Sequence, residues 1–362
     1  MRFPEFSGEW KKCKLGDLCN VLMCKRILVS QTNTEDGVPF YKIGTIGSTP
    51  DAYISKELFD DYKVKYNYPR KGEVMITCAG TVGKCVVYDG EDAYFQDSNI
   101  VWIDNPTQYI SNGFLFHLLS KVDWRKLNST TIIRIYNDDL RNLKMSYPRK
   151  EEQQKISHLL SLLDERIATQ NKIIEKYESL IKGIAQHCIK ESTSGNTYVK
   201  LGDICQITTG KLDANEQVDN GIYPFFTCAE QPFKIDSFAF DTEALLISGN
   251  GANLGYINYY NGKFNAYQRT YVLDIFSENI QYIKWALKVL LPKRIAIEKS
   301  SSNTPYIVLS TLSDLRLPIP NKSNQCHIAK LMQSLERKLS SQIALNGSYN
   351  KLKQYLLRQM FI

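Results

Sequence analysis

Two pairs of neighbouring thiol and imidazole side chains are the residues best suited to binding a metal ion. His187 and Cys188 form one pair, and Cys326 and His327 form the other. Together they have the ligand types of a tetrahedral zinc site. Adjacent residues of a helix point about 100° apart, so both members of a pair do not easily face one ion. We therefore expect no metal and no cofactor, with buried thiols and surface imidazoles as the simpler interpretation.

A second stretch resembles the carboxylate–lysine pattern of metal-dependent nucleases. Pro50-Asp51 is followed by Asp61 and Lys63, but such a site needs two carboxylates converging with a lysine on Mg²⁺. The stretch Lys56-Glu57-Leu58-Phe59-Asp60 indicates a surface helix or turn instead, and the second half of the chain has no counterpart. A self-contained nuclease is therefore kept only as a remote alternative.

Motifs of other enzyme classes are missing from the sequence. Asn105-Pro106-Thr107-Gln108 does not supply the Asn/Asp-Pro-Pro-aromatic tetrapeptide of a methyltransferase. Gly249, Gly251 and Gly255 have the wrong spacing for a dinucleotide fingerprint, and there is no phosphate-binding loop ending in Gly-Lys-Ser/Thr. The sequence therefore does not predict a methyltransferase, a dinucleotide-binding enzyme or an ATP-driven motor.

The positive charge of the chain is modest and unevenly distributed. The 362 residues carry 45 Lys and Arg against 38 Asp and Glu, a net charge of +7. Residues 323–362 hold 6 basic residues and 1 acidic residue, a net charge of +5. Residues 1–150 hold 21 basic and 18 acidic residues (+3), and residues 200–322 hold 12 of each. This balance permits a polyanionic partner but does not establish one.

The cysteines and the apolar runs indicate the cellular compartment. Nine cysteines without a Cys-x-x-Cys pair do not suggest a disulfide framework. The segment Met1-Arg2-Phe3-Pro4-Glu5-Phe6 lacks an apolar signal core, and no apolar run approaches the ~20 residues of a membrane-spanning helix. We expect a cytoplasmic protein with free thiols that does not bind a membrane.

The chain repeats itself once. Lys14-Leu15-Gly16-Asp17-Leu18 returns as Lys200-Leu201-Gly202-Asp203-Ile204. From about residue 83 an ungapped offset of 172 aligns the halves, with Gly83, Gln96, Gln153 and Tyr177 among the residues that recur. Two copies are too few for a solenoid. Short apolar runs between glycine turns in 71–103, and helical spacing in 111–127 and 279–291, predict one compact α+β domain in each half.

Each half ends in a long amphipathic helix. Steps of alternately 4 and 3 residues lead from Ile156 to Cys188, and the same seam runs from Ile328 to Met360. A narrow seam sustained over four heptads or more is typical of a coiled coil. Two such helices in one chain most simply pair with each other. Because a folded domain separates them, we predict antiparallel pairing with pseudo-two-fold symmetry.

These repeated motifs resemble the specificity subunit of a type I restriction–modification system. In the first half they are Gly72-Glu73-Val74, Ala79-Gly80-Thr81-Val82-Gly83-Lys84, Gln96-Asp97-Ser98-Asn99 and Pro148-x-x-x-Glu152-Gln153. In the second half they are Leu201-Gly202-Asp203, Gly249-Asn250-Gly251-Ala252-Asn253-Leu254-Gly255 and Gln325-x-x-Ile328. The second half departs from the pattern, since Asn324 stands where the family usually has Glu.

The resemblance implies an α+β chain of two tandem α/β target-recognition domains, each followed by a long helix. It also implies a non-catalytic reader of a bipartite, asymmetric sequence in double-stranded DNA. Its partners are two methyltransferase subunits and a restriction–translocase subunit. The expected segments are recognition domain 1 (1–149), a central helix (150–191), a linker (192–199), recognition domain 2 (200–321) and a distal helix (322–362).

Base reading needs Arg, Lys, Asn or Gln side chains on loops that a rigid scaffold positions. Under the resemblance, the candidate contacts are Lys25, Arg26, Thr81, Lys84, Gln96, Asn99, Arg134, Asn137, Asn250, Asn253, Gln268, Arg269 and Asn303. Lys25 and Arg26 are better suited to phosphate than to bases. An assembly scaffold without DNA contact is the alternative that the charge leaves open.

Overall fold

The structure is a computed structural model that describes residues 2–126, 134–192, 197–299 and 306–361. The chain forms two compact units. Unit 1 contains Met1–Gln170 and Leu345–Ile362, and unit 2 contains Asn171–Ala344. Each unit therefore combines one mixed domain with one half of each long helix. The segment boundaries expected from the sequence remain a prediction.

Unit 1 contains the first ten strands and begins the first long helix. The strands are β1 (Lys11–Lys14), β2 (Asn20–Leu22), β3 (Thr32–Asn33), β4 (Val38–Tyr41), β5 (Tyr53–Ile54), β6 (Val74–Thr77), β7 (Cys85–Val87), β8 (Tyr94–Phe95), β9 (Ile100–Asp104) and β10 (Lys144–Tyr147). The helices are α1 (Lys56–Lys65), α2 (Asn112–Lys121), α3 (Asn137–Arg141) and α4 (Lys150–Glu191), the last continuing into unit 2. Two four-stranded sheets have the orders β2-β9-β6-β7 and β3-β5-β4-β8, and β1 pairs with β10.

Unit 2 repeats this plan with one larger sheet. Its strands are β11 (Thr197–Lys200), β12 (Gln206–Thr209), β13 (Tyr223–Phe226), β14 (Phe233–Ile235), β15 (Phe240–Ser248), β16 (Ile257–Ala266), β17 (Thr270–Asp274) and β18 (Arg316–Ile319), and its helices are α5 (Ile280–Lys299), α6 (Leu309–Ser313) and α7 (Lys322–Met360). The six-stranded order is β12-β17-β15-β16-β13-β14, and β11 pairs with β18. The long strand β16 occupies the places that β7 and β8 share in unit 1. Strand β11 begins inside the segment expected to be a linker.

One helix covers the sheet in each domain. In unit 1, Phe114 and Leu115 of α2 are fully buried in one cluster with Ile76 of β6 and Ile103 of β9. The Ser111 hydroxyl accepts the Phe114 N–H and caps the start of α2. In unit 2, buried side chains of α5 pack in the same way against β15 and β17. The short strands and the helices predicted for 111–127 and 279–291 are thus confirmed, with α2 ending earlier and α5 ending later than expected.

The predicted antiparallel pairing of the long helices is also confirmed. In unit 1, Ile156 and Leu160 near the start of α4 share a buried cluster with Leu356 and Met360 near the end of α7. In unit 2, Ile181 near the end of α4 shares a cluster with residues near the start of α7. None of the predicted seam residues is exposed. Burying each large apolar side chain contributes about 1.5–3 kcal/mol, so the seam stabilises both units.

A buried glutamine fixes the start of each long helix to its own domain. Gln153 Nε2 donates to Tyr109 O and Pro148 O (2.9 Å each), and its Oε1 accepts the Ser111 N–H (2.8 Å). The repeat places Gln325 at the same position in α7. Its Nε2 donates to Pro320 O (2.8 Å), and its Oε1 accepts the Asn279 N–H (3.0 Å).

The expectation of an ungapped offset of 172 is wrong within the sheets. The offset of 172 relates Gln153 to Gln325. Asp104 of β9, however, corresponds to Asp274 of β17, which is an offset of 170. Asp104 pairs with the first residue of β2 and Asp274 pairs with the first residue of β12, and these two strands are equivalent. Loops absorb such length changes, while strand register is set by buried side chains. The unusual Asn324 is exposed, whereas Glu152 in unit 1 is buried and bonded to Arg2.

Candidate nucleic-acid interface

A glycine-containing turn joins β6 to β7 at one end of a sheet of unit 1. The Gly83 N–H donates to Thr77 O (2.8 Å) and closes the turn. Gly80 and Gly83 have φ of 65° and 83°, in the left-handed region. A Cβ on Gly83 would lie 2.2 Å from Trp124 Cδ1. Glycine is therefore required for the turn to lie this close to the indole ring.

Other loops of unit 1 meet at this turn. The Cys78 N–H donates to Asn99 O (2.7 Å), and the Ile135 N–H donates to Cys78 O (2.9 Å). The Ile43 N–H donates to Gln96 Oε1 (3.4 Å). We call this group of loops edge 1; it comprises residues 25–29, 42–48, 79–84, 96–99 and 134–137.

Edge 1 brings together the candidate contacts of the first half. Arg26 Nε donates to Asp97 Oδ2 (2.8 Å), and Lys84 Nζ donates to Ile46 O (2.5 Å). Arg134 donates to Ser98 O (3.3 Å). Three further candidates also lie in edge 1. Lys25 is exposed, and its Nζ lies 5.3 Å from the centroid of the Tyr66 ring. Thr81 is exposed in the glycine turn, and Asn137 is the first residue of α3.

Unit 2 builds a corresponding group of loops. The Gly249 N–H donates to Arg269 O (2.8 Å), and the Ile307 N–H donates to Gly249 O (2.9 Å). Asn253 Nδ2 donates to Cys228 O (3.0 Å). We call this group edge 2; it comprises residues 211–213, 227–229, 249–255, 267–269 and 306–308. The candidates Asn250, Asn253, Gln268 and Arg269 lie in edge 2, while Asn303 lies outside the described residues.

Matching backbone hydrogen bonds show which positions of the two edges correspond. The Cys78–Asn99 bond of edge 1 has the same place as the Gly249–Arg269 bond of edge 2. Asn99 therefore corresponds to Arg269. By the same criterion the Gln96 N–H, which donates to Tyr41 O, corresponds to the Tyr267 N–H, which donates to Phe226 O. The predicted equivalence of Gln96 with Gln268 is thus off by one residue.

Three residues of the edges were not among the sequence-based candidates. Tyr136 and Tyr306 are 62% and 58% exposed, and such rings offer faces on which bases can stack. The Arg134 guanidinium lies 6.0 Å from the Tyr136 ring. Asp97 was passed over although it stands between Gln96 and Asn99. The signal was present in each case, because all three residues belong to loops already identified from the sequence.

The stretch that resembles a nuclease has a different geometry. Asp61 and Lys63 lie on α1, where Asp61 pairs with Lys65 (2.5 Å) and Lys63 pairs with Asp92 (2.9 Å). Asp51 pairs with Lys42 (2.9 Å). The two carboxylates and the lysine of the pattern are therefore each bound to a different partner.

Burial suppresses the ionisation of one imidazole and two thiols of unit 1. It lowers the pKa of His117 to about 4, and it raises the pKa of the Cys19 and Cys85 thiols to about 12. These thiols stay protonated near neutral pH. Within the four described segments, no three His, Cys, Asp or Glu side chains form a group able to hold a metal ion. None of the described helices is long and apolar enough to cross a membrane.

The sequence matches one protein family in both halves. Residues 7–179 and 193–346 each match the family described as "Type I restriction modification DNA specificity domain". A putative type I restriction enzyme specificity subunit of Haemophilus influenzae is 49% identical over 165 residues, 46% of this chain and 42% of that protein. The specificity subunit of the Escherichia coli type I restriction enzyme EcoDI is 41% identical over 143 residues, 40% of this chain and 32% of that protein. The chain thus spans less than half of the length of these relatives.

The fold has a counterpart among solved structures. The S subunit of a type I restriction–modification system from Mycoplasma genitalium superposes with a TM-score of 0.67 at 19% identity. The match covers 98% of this chain and 96% of that one. At this identity the likeness concerns the fold, and it extends over both halves.

Proposed function

Because the chain belongs to the family of type I restriction modification DNA specificity domains, we propose that it is the sequence-recognition subunit of a type I restriction–modification complex. In this proposal it reads a bipartite, asymmetric target in double-stranded DNA and catalyses no reaction itself. The complex acts in the cytoplasm, where it meets DNA. The observation that carries the proposal is the duplicated edge, a cluster of polar loops held by the same backbone bonds in each unit.

The side chains of the two edges support an asymmetric target. Edge 1 offers Asn99 where edge 2 offers Arg269, and Arg134 of edge 1 aligns with Tyr306 of edge 2. Asparagine forms two hydrogen bonds with adenine, whereas arginine forms two with guanine. Two readers built on one scaffold but carrying different side chains suit two different half-sites.

The helices support docking of two copies of one partner. Ile173 and Leu180 of α4 are 36% and 49% exposed, and Leu345 and Leu352 of α7 are 39% and 46% exposed. Within each pair the residues are one heptad apart, and the pairs are related by the repeat. Unit 2 carries the first pair and unit 1 the second. Exposed apolar pairs at equivalent positions fit two methyltransferase subunits, one on each unit, which a restriction–translocase subunit joins for cleavage.

Sequencing of modified bases in cells tests the proposal. Cells that express the methyltransferase subunit of the system with this chain should methylate a split motif that is absent when this chain is deleted. If this chain were only a scaffold that does not contact DNA, substituting the side chains of both edges would leave the methylated motif unchanged. The proposal fails if methylation is independent of this chain. Unchanged methylation of both half-sites in Arg134→Ala and Arg269→Ala would remove these two residues from the candidate contacts.

A further inference from the structure

A cavity of about 300 Å³ opens at edge 1, and Thr32, Phe40 and Ala52 complete its lining. Its apolar wall includes Ile27 and Phe40, and its polar wall includes Gln96, Asp97 and Asn99. Arg26 and Val29 lie on its rim and are exposed. The volume is at the small end for ligand sites in proteins. The polar lining consists of the loop 96–99 together with Arg26, Thr32 and Lys42 from neighbouring segments.

Asp97 is the one carboxylate among the residues lining this cavity. Its side chain is 18% exposed, and its Oδ2 accepts from Arg26 Nε at 2.8 Å. Within the described segments, Arg26 is the one side chain that pairs with it. Ser98, the next residue, has a φ of 53°, which is uncommon for a residue other than glycine. This turn holds Asp97 and Asn99 on the same wall of the cavity.

A carboxylate in a DNA-facing loop normally repels phosphates, but here its charge is balanced by Arg26. The pair can therefore approach a duplex without a net electrostatic penalty. An ionised carboxylate only accepts hydrogen bonds. It attracts the amino groups of cytosine N4 and adenine N6 in the major groove, and it repels the carbonyl oxygens of guanine and thymine.

We propose that the edge-1 cavity receives the edge of one base in the first half-site and that Asp97 selects an amino-bearing base, adenine or cytosine, at this position. The inference rests on the proposed function. Arg26 is a positioning residue that neutralises the carboxylate, and Asn99 lies close enough in the loop to read the same or the neighbouring base. Selection works largely by exclusion, because the carbonyl oxygen of a guanine or thymine placed against Asp97 would face a carboxylate, which has no hydrogen to donate.

Edge 2 provides a natural contrast. The loop between the equivalents of Gln96 and Asn99 is one residue shorter there, with Gln268 alone between Tyr267 and Arg269. The position of Arg26 is taken by Leu212, whose carbonyl accepts the Gln268 N–H (2.9 Å). Edge 2 therefore has no ion pair of this kind, and the selection by a carboxylate applies to the first half-site only.

The test compares Asp97→Asn with Asp36→Asn in the full chain assembled with its methyltransferase subunits. Both substitutions remove one negative charge from unit 1, and Asp36 lies exposed in a turn outside edge 1. An amide both donates and accepts, so the asparagine no longer excludes carbonyl-bearing bases. Methylation of duplexes that differ at one position should show that discrimination against guanine and thymine falls about 5- to 150-fold in Asp97→Asn alone.

The same experiment also separates this inference from the proposed function. With Asp97→Asn, one position of the first half-site should become permissive while the second half-site keeps its sequence, which also shows that the variant is folded. An unchanged motif in Asp97→Asn, or equal relaxation in Asp36→Asn, would overturn the assignment of Asp97. If the unsubstituted chain specifies no split motif at all, the proposed function itself fails.

Discussion

The anchoring glutamines lead to a quantitative prediction about stability. Gln153 is fully buried and bonds to three backbone groups, so Gln153→Ala leaves Tyr109 O, Ser111 N and Pro148 O without their partner. The bond to Pro148 O is buried, and losing it costs about 2 kcal/mol. The other two bonds are partly accessible to water and contribute about 0.5–1 kcal/mol each. Together these terms give about 3–4 kcal/mol of destabilisation.

The loss should be confined to unit 1. Gln325→Ala removes the corresponding bonds to Pro320 O and Asn279 N and should weaken unit 2 instead. Hydrogen exchange of the full chain reports on both units at once: Gln153→Ala should reduce protection of α2 and the start of α4, and Gln325→Ala should do so for α5 and the start of α7. Urea unfolding gives the size of the change.

Neighbouring exposed residues supply matched controls. Gln154 follows Gln153, Asn324 precedes Gln325, and both side chains are exposed. Their replacement by alanine should therefore change the free energy of unfolding by less than about 0.5 kcal/mol. The reasoning is refuted if Gln153→Ala and Gln154→Ala behave alike. It is also refuted if Gln153→Ala lowers protection equally in both units, because the bonds of this glutamine all lie within unit 1.

Much of the fold follows from local patterns in the sequence. The steps of 4 and 3 residues that start at Ile156 and Ile328 specify a helix face, and a face of this length has to be buried against another helix. The intervening domain then makes antiparallel pairing the natural closure. The glycine turns around Gly83 and Gly255 are equally predictable, because two glycines in a repeated motif indicate a backbone conformation that other residues rarely adopt.

The sequence does not reveal contacts between distant residues. Arg26 and Asp97 are 71 positions apart, and no periodicity relates them, so the carboxylate of the cavity was missed although its loop was identified. The exchange of helix halves between the units was also missed. Heptad spacing identifies the face that is buried but not the domain against which Leu356 or Ile181 packs. Insertions in loops likewise hid the one-residue shift between Gln96 and Gln268.

Two further predictions concern the helices. Under the proposed function, Leu180→Glu combined with Leu352→Glu should weaken binding of the methyltransferase subunits about 30-fold or more per site, since burial of each leucine contributes about 2 kcal/mol. Calorimetric titration compares this variant with Gln186→Glu, at an exposed position of α4, and equal affinities would contradict the prediction. His117 of α2 is buried, and burial lowers its pKa to about 4, below the value of about 6.5 in an unfolded chain. The unfolded state therefore binds the proton first, so stability is unaffected above about pH 7 and falls by about 2 kcal/mol as the pH decreases to 5. His117→Gln should abolish this contribution in urea unfolding at pH 7.5 and pH 5.0, and an identical pH dependence in both proteins would show that the imidazole is accessible to protons in the folded state.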